Sequence, residues 1–343
     1  MKRKEWFFGG LLFLSVVFIT AIVYGYQVFQ TANFRINKSD KFLYIPQGAD
    51  FKQVMNIMTQ DTLINNTLSF AFVSQLLNYQ KNIKPGRYLI RKNMNNLTVV
   101  RMLRAGLQSP VKLTFNNIRL LNDFTARVGE EMAFGKEGLD KLLKDNKFTQ
   151  KYGFDTTNIL SMFIPNTYEF YWNTSAQNFV DRMHKEYQKF WTKERLTKAQ
   201  AQNLSPQQVS VLASIVQAET LKNDEKPRIA GVYLNRLKKK MKLDADPTVI
   251  FAVGDFTIKR VLNRHTQLDS PFNTYKYSGL PPGPINMPDT HSLNAVLNPE
   301  DHKYLFFCAK EDFSGYHRFA VSYADHLKNA KLYQKALDLR GVK

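Results

Sequence analysis

The chain has 343 residues, room for two or three domains with real cores, and its 26 Phe and 16 Tyr exclude a disordered polymer. One cysteine, Cys308, excludes an internal disulfide framework and reads as a buried apolar filler. The formal charge of +19 is spread along the whole length with no zinc-finger, helix-turn-helix or RNA-binding signature, and with the apolar stretch described next no nucleic-acid partner is expected; a solvated lysine-rich surface and an attraction to an anionic polymer or lipid both remain open.

Lys2, Arg3 and Lys4 open the chain, and no charge occurs from Trp6 to Phe34. As a helix, Phe7–Phe29 spans about 35 Å, enough to cross a bilayer core with some tilt. No small-x-small cleavage pattern closes the run. Tyr24, Tyr26 and Phe29 stand where a signal peptide needs small residues, and they suit an interfacial aromatic belt. The sequence predicts a cytoplasmic tail over 1–6 and an uncleaved transmembrane helix over 7–29. The short basic start favours a cytoplasmic N-terminus, against the positive charge of Arg35, Lys38 and Lys41 on the far side.

A small unit follows over 42–106. FLYIPQG reads as a strand entering a turn, and Asp50 can cap a helix carrying Phe51, Val54, Ile57 and Met58. A second helix carries Phe70, Phe72, Val73, Leu76 and Leu77; KPGRYLI is a turn and strand, and Leu97–Leu103 a short helix after Asn95. Such a strand–helix–helix–strand unit can bind glycan or only pack. From Val111 to Lys198 the pattern predicts a strand at Leu113–Phe115, helices at Leu121–Met132 and Leu139–Asp145, a strand-like Ile164–Trp172 and an amphipathic helix at Ala176–Trp191. The fold class is α+β.

The next helix opens at Ser205 with Pro206 at its first position and Gln208 three residues on, a capping-box start. It runs through Val209, Val211, Leu212, Ile215 and Val216 to Glu219. That acid lies four beyond Ile215, three beyond Val216 and seven beyond Leu212, which puts its carboxyl on the apolar stripe. A carboxyl among apolar neighbours loses solvation of its anion, so its pKa should rise toward neutrality, as a general acid requires. The competing reading is a helix end that leaves Glu219 in water.

A second helix spans Arg228–Leu237. Asp246–Pro247–Thr248 is a turn-and-cap signal in which Asp can bond backbone amides. Ser270–Tyr275 follows, then a Pro/Gly loop over Gly279–Pro288 that excludes helix and central strand. Tyr304–Ala309 reads as a buried strand with His317–Ser322 as its hairpin partner. His317 either serves a cleft or is a satisfied structural histidine. His302 and His326 have no partner at metal spacing, and no H-E-x-x-H, phosphate loop, dinucleotide fingerprint or nucleophile elbow occurs, so no metal or cofactor is expected.

ASIVQAET, YLNRL, DPTVIFAVG, SPFNTY, GLPPGPI and the YLFF…HRFA hairpin, in this order and spacing, resemble the YceG-like endolytic murein transglycosylases (the MltG family). The resemblance runs from about Ser205 to Asn329, and IPQG, KPGRY and IPNTY extend it over nearly the whole exported chain. It implies a LysM-like subdomain at 42–106 and a catalytic domain at 107–343 with its core at 205–329. It also implies a single-pass inner-membrane enzyme with a periplasmic body. Such an enzyme cleaves between N-acetylmuramic acid and N-acetylglucosamine within nascent glycan strands and leaves 1,6-anhydromuramyl ends. The implied partners are peptidoglycan glycan strands and the lipid bilayer, with peptidoglycan synthases as candidates. The family's catalytic glutamate falls on Glu219. Its substrate cleft falls on Asp246, Thr248, Asn273, Thr274, Tyr275, Gly279, Leu280, Pro281, Pro282, Gly283, Pro284 and Ile285.

One glutamate is chemically sufficient for that reaction. Glycosidases ordinarily need two carboxylates, but here the sugar's own C6 hydroxyl is the nucleophile, so a single group can act as acid and then as base. Asp244 departs from the family, whose members typically carry Gln there. On an extended segment Asp244 and Asp246 point to one side, so Asp244 either raises the pKa of Glu219 by repulsion or faces water. Two rivals stand beside this reading: a non-catalytic membrane-anchored glycan-binding scaffold, and a hydrolase with Asp244, Asp246 or Asp269 as second carboxylate.

Overall fold

The computed structural model describes residues 2–34 and 40–340. Arg35 and Lys38 therefore lie outside the described residues. The chain divides into two units, Met1–Lys112 with Glu131–Ala133 and Glu169–Thr174, and the remainder from Leu113 onward.

The first unit opens with α1 (Lys2–Gln30), which contains the expected 7–29 span and is about 44 Å long at the α-helical rise. It is long and apolar enough to cross a membrane, and its apolar window is not buried by protein. Then come β1 (Lys41–Ile45), α2 (Phe51–Gln60), α3 (Thr67–Leu76), β2 (Gly86–Ile90) and α4 (Asn96–Ala105). β1 and β2 pair antiparallel with Lys41 opposite Ile90 and Ile45 opposite Gly86. The three helix starts are written locally. Asp50 and Gln53 form a capping box on α2, Asn66 caps α3 and Asn95 caps α4. Leu43, Ile45, Val54, Met58, Phe70, Tyr88 and Val99 fill the core, and Val28 in the last turn of α1 and Phe34 just beyond it belong to the same cluster.

Apart from Val111–Lys112 and Glu169–Phe170, which belong to the first unit, the second unit takes up β3 (Val111–Phe115), α5 (Leu121–Gly129), α6 (Gly135–Leu143), α7 (Asn146–Gln150), β4 (Asn166–Phe170), α8 (Ala176–Phe190) and α9 (Lys193–Ala201). After these come α10 (Pro206–Glu219), α11 (Lys226–Lys238), α12 (Asp246–Val253), α13 (Asn263–Thr266) and α14 (Thr290–Leu297). β5 (Phe306–Ala309), β6 (His317–Ala320) and α15 (Tyr323–Leu339) complete it. β3 pairs with β4, and β5 with β6. α10 is the pillar of this unit. Every residue from Val209 to Val216 is buried, and the helix packs on α11, α12 and α14.

Three expectations need correction. The helix expected over Leu121–Met132 stops at Gly129, where a Cβ would stand 2.2 Å from the backbone N of Lys136. The chain must turn there so that α5 and α6 can pack. The strand expected to be buried over Tyr304–Ala309 is Phe306–Ala309 and only half-buried, because a two-stranded ribbon covers neither face completely. Cys308 on it is likewise half-buried rather than a core filler.

Candidate active site

The reciprocal bonds of Ser205 and Gln208 start α10, with Pro206 in its first turn, and the helix ends at Glu219 as Thr220 turns extended. Because the middle of α10 is buried all round, its last turn delivers Glu219 to the inner edge of a cleft, where the side chain is half-buried. Tyr233 on α11, 1% exposed, donates its hydroxyl to Glu219 Oε1 at 2.6 Å. Burial pushes the Glu219 carboxyl up to about 7, and the charge of Asp246 acts in the same direction. The Tyr233 bond, His317 and Arg236 pull it down by less. Burial, then the neighbouring Glu219, holds the Tyr233 phenol well above its ordinary value, so it remains a donor across the physiological range.

The cleft holds about 400 Å³ and is lined by Glu219, Tyr233, Arg236, Asp244, Asp246, Tyr275 and His317, with Phe306–Ala309 of β5 as one wall. Asp246 was expected to cap a helix with its carboxyl. Instead it is the first residue of α12, and its Oδ1 accepts from Tyr275 Oη at 2.6 Å. Arg236, 8% exposed, donates to the backbone oxygens of Leu305 (2.6 Å) and Leu243 (2.9 Å) and to Asp244 Oδ2 at 3.0 Å. It ties the β5 wall and the 243–244 turn to α11. His317 receives two contacts from the buried Glu225. Its backbone N–H donates to Oε1 at 2.9 Å, and ring Nδ1 lies 2.7 Å from Oε2. The ring also stands edge-on to Phe307, which is edge-on to Tyr233.

Asp244 does not stand on an extended segment. Its φ of 47° is left-handed, and the helix begins two residues later. Both Asp244 and Asp246 reach the cleft, but the Asp244 carboxylate is taken by Arg236, whereas Asp246 is the aspartate whose charge acts on Glu219.

The other expected cleft residues separate into two groups. Thr248, Asn273 and Thr274 are 0%, 0% and 2% exposed and lie behind the wall. The Thr274 hydroxyl accepts from Ala245 N at 3.0 Å and lies 2.8 Å from that of Thr248. Asn273 Nδ2 donates to Thr266 O at 2.9 Å and Leu268 O at 2.8 Å. They position Asp246 and Tyr275 and have no open path to a ligand. Within the Pro/Gly loop, Gly279, Leu280, Pro281 and Pro282 line a different and larger hollow of about 880 Å³, together with Gln202, Asn203 and Gln207. Gly283, Pro284 and Ile285 are buried. A Cβ at Gly283 would meet Thr157 O at 2.1 Å, and Ile285 N donates to Ser214 Oγ at 3.0 Å on the flank of α10. The loop is a buttress for α10 rather than a wall of the acid's cleft.

Tyr233, Arg236, Glu225 and Phe307 were not singled out from the sequence. Tyr233 and Arg236 are three apart on one helix, which puts them on one face, and that was the available signal. Glu225 and His317 are ninety-two positions apart and gave none. Gly231 lets the segment 300–302 lie close against α11, since a Cβ there would stand 2.7 Å from Glu300 O and 2.6 Å from the His302 ring. Among the described residues, no three His, Cys, Asp or Glu side chains gather in a way that could hold a metal ion.

Fold and cleft define an α+β protein built around one half-buried glutamate at the end of a buried helix. Residues 43–332 match the YceG-like family, and the chain belongs to it. It is similar to the endolytic murein transglycosylase of Bacillus subtilis, 26% identical over 329 residues covering 91% of this chain and 90% of that one. The endolytic murein transglycosylase of Streptococcus pneumoniae is 24% identical over 359 residues, covering 95% of this chain and 64% of that longer protein. A YceG-like protein of Listeria monocytogenes, known from a 2.6 Å crystal structure, aligns with a TM-score of 0.55 at 28% identity, over 85% of this chain and 99% of that one.

Proposed function

We propose that this protein is a membrane-anchored endolytic lytic transglycosylase of peptidoglycan, with Glu219 as general acid and then general base. The observation that carries the reading is the state of Glu219, a carboxyl raised to about 7 and oriented by a buried tyrosine at the edge of an open cleft. The relatives' activity supports the substrate class. Near neutral pH such a carboxyl is present in both protonation states, as a group that gives a proton and takes one back requires. Glu219 protonates the glycosidic oxygen between N-acetylmuramic acid and N-acetylglucosamine. The C6 hydroxyl of the muramyl unit attacks C1, and the Glu219 carboxylate accepts that hydroxyl's proton. One bond breaks, one forms, and no water is consumed; the products are a 1,6-anhydromuramyl end and a free N-acetylglucosamine 4-hydroxyl. Tyr233 orients the carboxyl, and burial, aided by the charge of Asp246, keeps its proton affinity high. Asp246, Tyr275 and His317 are the polar groups placed to meet the sugar. The small unit has the strand–helix–helix–strand order of a LysM-like module. We read α1 as its membrane anchor, with the N-terminus cytoplasmic and the body outside.

Mass spectrometry of glycan digested by the full chain tests the chemistry. Anhydromuramyl ends are expected. Reducing ends would make it a hydrolase using Asp246 as second carboxylate, and intact strands would leave a binding scaffold. Protease added outside spheroplasts should remove the body and leave α1 in the membrane; a soluble form shortened by about 30 residues, the length of a cleaved leader, would overturn the anchor.

A further inference from the structure

The outward face of α3 is apolar and stands against the end of α1. α3 carries no charged residue in its ten positions. Phe70, Val73 and Ser74 face the small core, whereas Leu68, Phe72 and Leu76 are 82%, 55% and 58% exposed. Their i, i+4, i+8 spacing makes one stripe along the helix. The Phe72 ring meets Phe29 of α1 edge-on, with centroids 6.4 Å apart. A hollow of about 540 Å³ between the two helices is lined by Tyr24 and Gln27 of α1 and by Leu68 and Phe72 of α3, with Asn65 and Asn66 giving it a polar end suited to a headgroup. The stripe therefore lies level with the last two turns of α1, where Tyr24 and Tyr26, each 66% exposed, form the aromatic belt expected at a membrane–water boundary.

A hydrogen-bond network holds the two helices in this relation. Asn33 Nδ2 donates to Asn66 O at 2.8 Å and to Asn96 Oδ1 at 2.6 Å. Asn96 Nδ2 donates to Val28 O at 2.8 Å and to Ser69 Oγ at 3.0 Å. Both asparagines are at least nine-tenths buried, so the bonds are shielded from competing water.

We propose that α3 lies in the interfacial layer of the bilayer that α1 crosses, with Leu68, Phe72 and Leu76 among the lipid chains and lipid filling the hollow beside them. The inference rests on the reading of α1 as membrane-spanning. Lipid is the occupant because the stripe continues the uncovered apolar surface of α1 at the depth of its tyrosines, and a helix without a charged residue offers no ion pair to a protein partner. The small unit is then seated on the membrane surface in one orientation.

Depth measurements on the full chain in phospholipid nanodiscs test this. With Cys308 replaced by Ser, single cysteines at Leu68, Phe72 or Leu76, at Phe18 in α1, and at Lys52 on α2 carry an environment-sensitive fluorophore, and spin-labelled lipids quench it. The α3 probes should show blue-shifted emission and lose fluorescence to a label near the headgroup, Phe18 to a label deep in the chains, and Lys52 to neither. α3 probes that behave like Lys52 while Phe18 is quenched would overturn the inference and leave the anchor intact. An unquenched Phe18 would overturn both. Diazirine lipids on the unsubstituted chain provide a label-free check, with adducts expected on the 67–76 peptide; their absence there, with adducts on α1, would again overturn the docking.

Discussion

Two hollows flank α11, and the larger one is chemically the quieter. The 880 Å³ hollow meets Leu234, Leu237 and Lys238 and is otherwise lined by uncharged groups, the amides of Asn158, Gln202 and Gln207 among them, and by the Pro/Gly loop. The 400 Å³ cleft meets Tyr233 and Arg236 and gathers Glu219, Asp244, Asp246, Tyr275 and His317. On the proposed reading the chemistry follows not volume but a carboxyl whose anion the surroundings destabilise and to which a buried phenol donates.

The widest separation between the two should come from Glu219→Gln, which keeps the shape but cannot donate a proton. Anhydromuramyl end formation should fall by at least about 100-fold. The same variant tests the raised pKa through stability. The folded protein keeps the Glu219 proton up to about 7 while the unfolded chain releases it near 4.5, so this group's contribution to stability declines as pH rises through that window. Gln does not titrate; the variant should melt with the parent at pH 4 and above it at pH 8, and equal melting at both would show that Glu219 is solvated.

Tyr233→Phe should cost about 10-fold at the optimum through lost positioning, the size expected for one hydrogen bond of about 1.4 kcal/mol. It also removes a bond that stabilises the carboxylate, so the alkaline limb of the pH–rate profile should move to higher pH. Asp246→Asn removes a repelling charge and should move that limb to lower pH, opposite in sign. Parallel shifts in the two variants would contradict the arrangement around Glu219. The smallest effects belong to Asp244→Gln and to Gln207→Ala in the larger hollow. The first should overlay the parent across pH 4 to 9, roughly the range where carboxyl and histidine groups titrate, because Arg236 holds the Asp244 charge. The second should leave kcat within about 2-fold, because Gln207 lies outside the cleft of Glu219 and bonds the Gly153 carbonyl instead. A 100-fold loss in Gln207→Ala would transfer the chemistry to the larger hollow.

Much of this is legible in the sequence alone, where the determinant is local. Asp50–Gln53 and Ser205–Gln208 mark helix starts because a side chain three residues away satisfies an orphan amide. The uncharged run from Trp6 to Phe34 marks an apolar helix because length and composition alone set that property. The offsets of Ile215 and Val216 to Glu219 mark the stripe its carboxyl joins, because helical geometry repeats every 3.6 residues. The YceG-like signature likewise lies in short contiguous strings.

What the tertiary structure alone decided depends on partners far apart in the chain. Thr248, Asn273 and Thr274 turn inward because their bonds close between segments more than twenty residues apart or around a loop, not because of their own neighbours. Asp244 takes a left-handed conformation while Arg236, inserted from α11, bonds its carboxylate and the carbonyl of Leu243. Glu225 reaches His317, and Tyr233 reaches Glu219, only once α10, α11 and the β5–β6 ribbon have packed. A sequence pattern reports which face of an element is apolar. Which polar group meets another across two such faces is set by packing, and the chemistry of this cleft lies there.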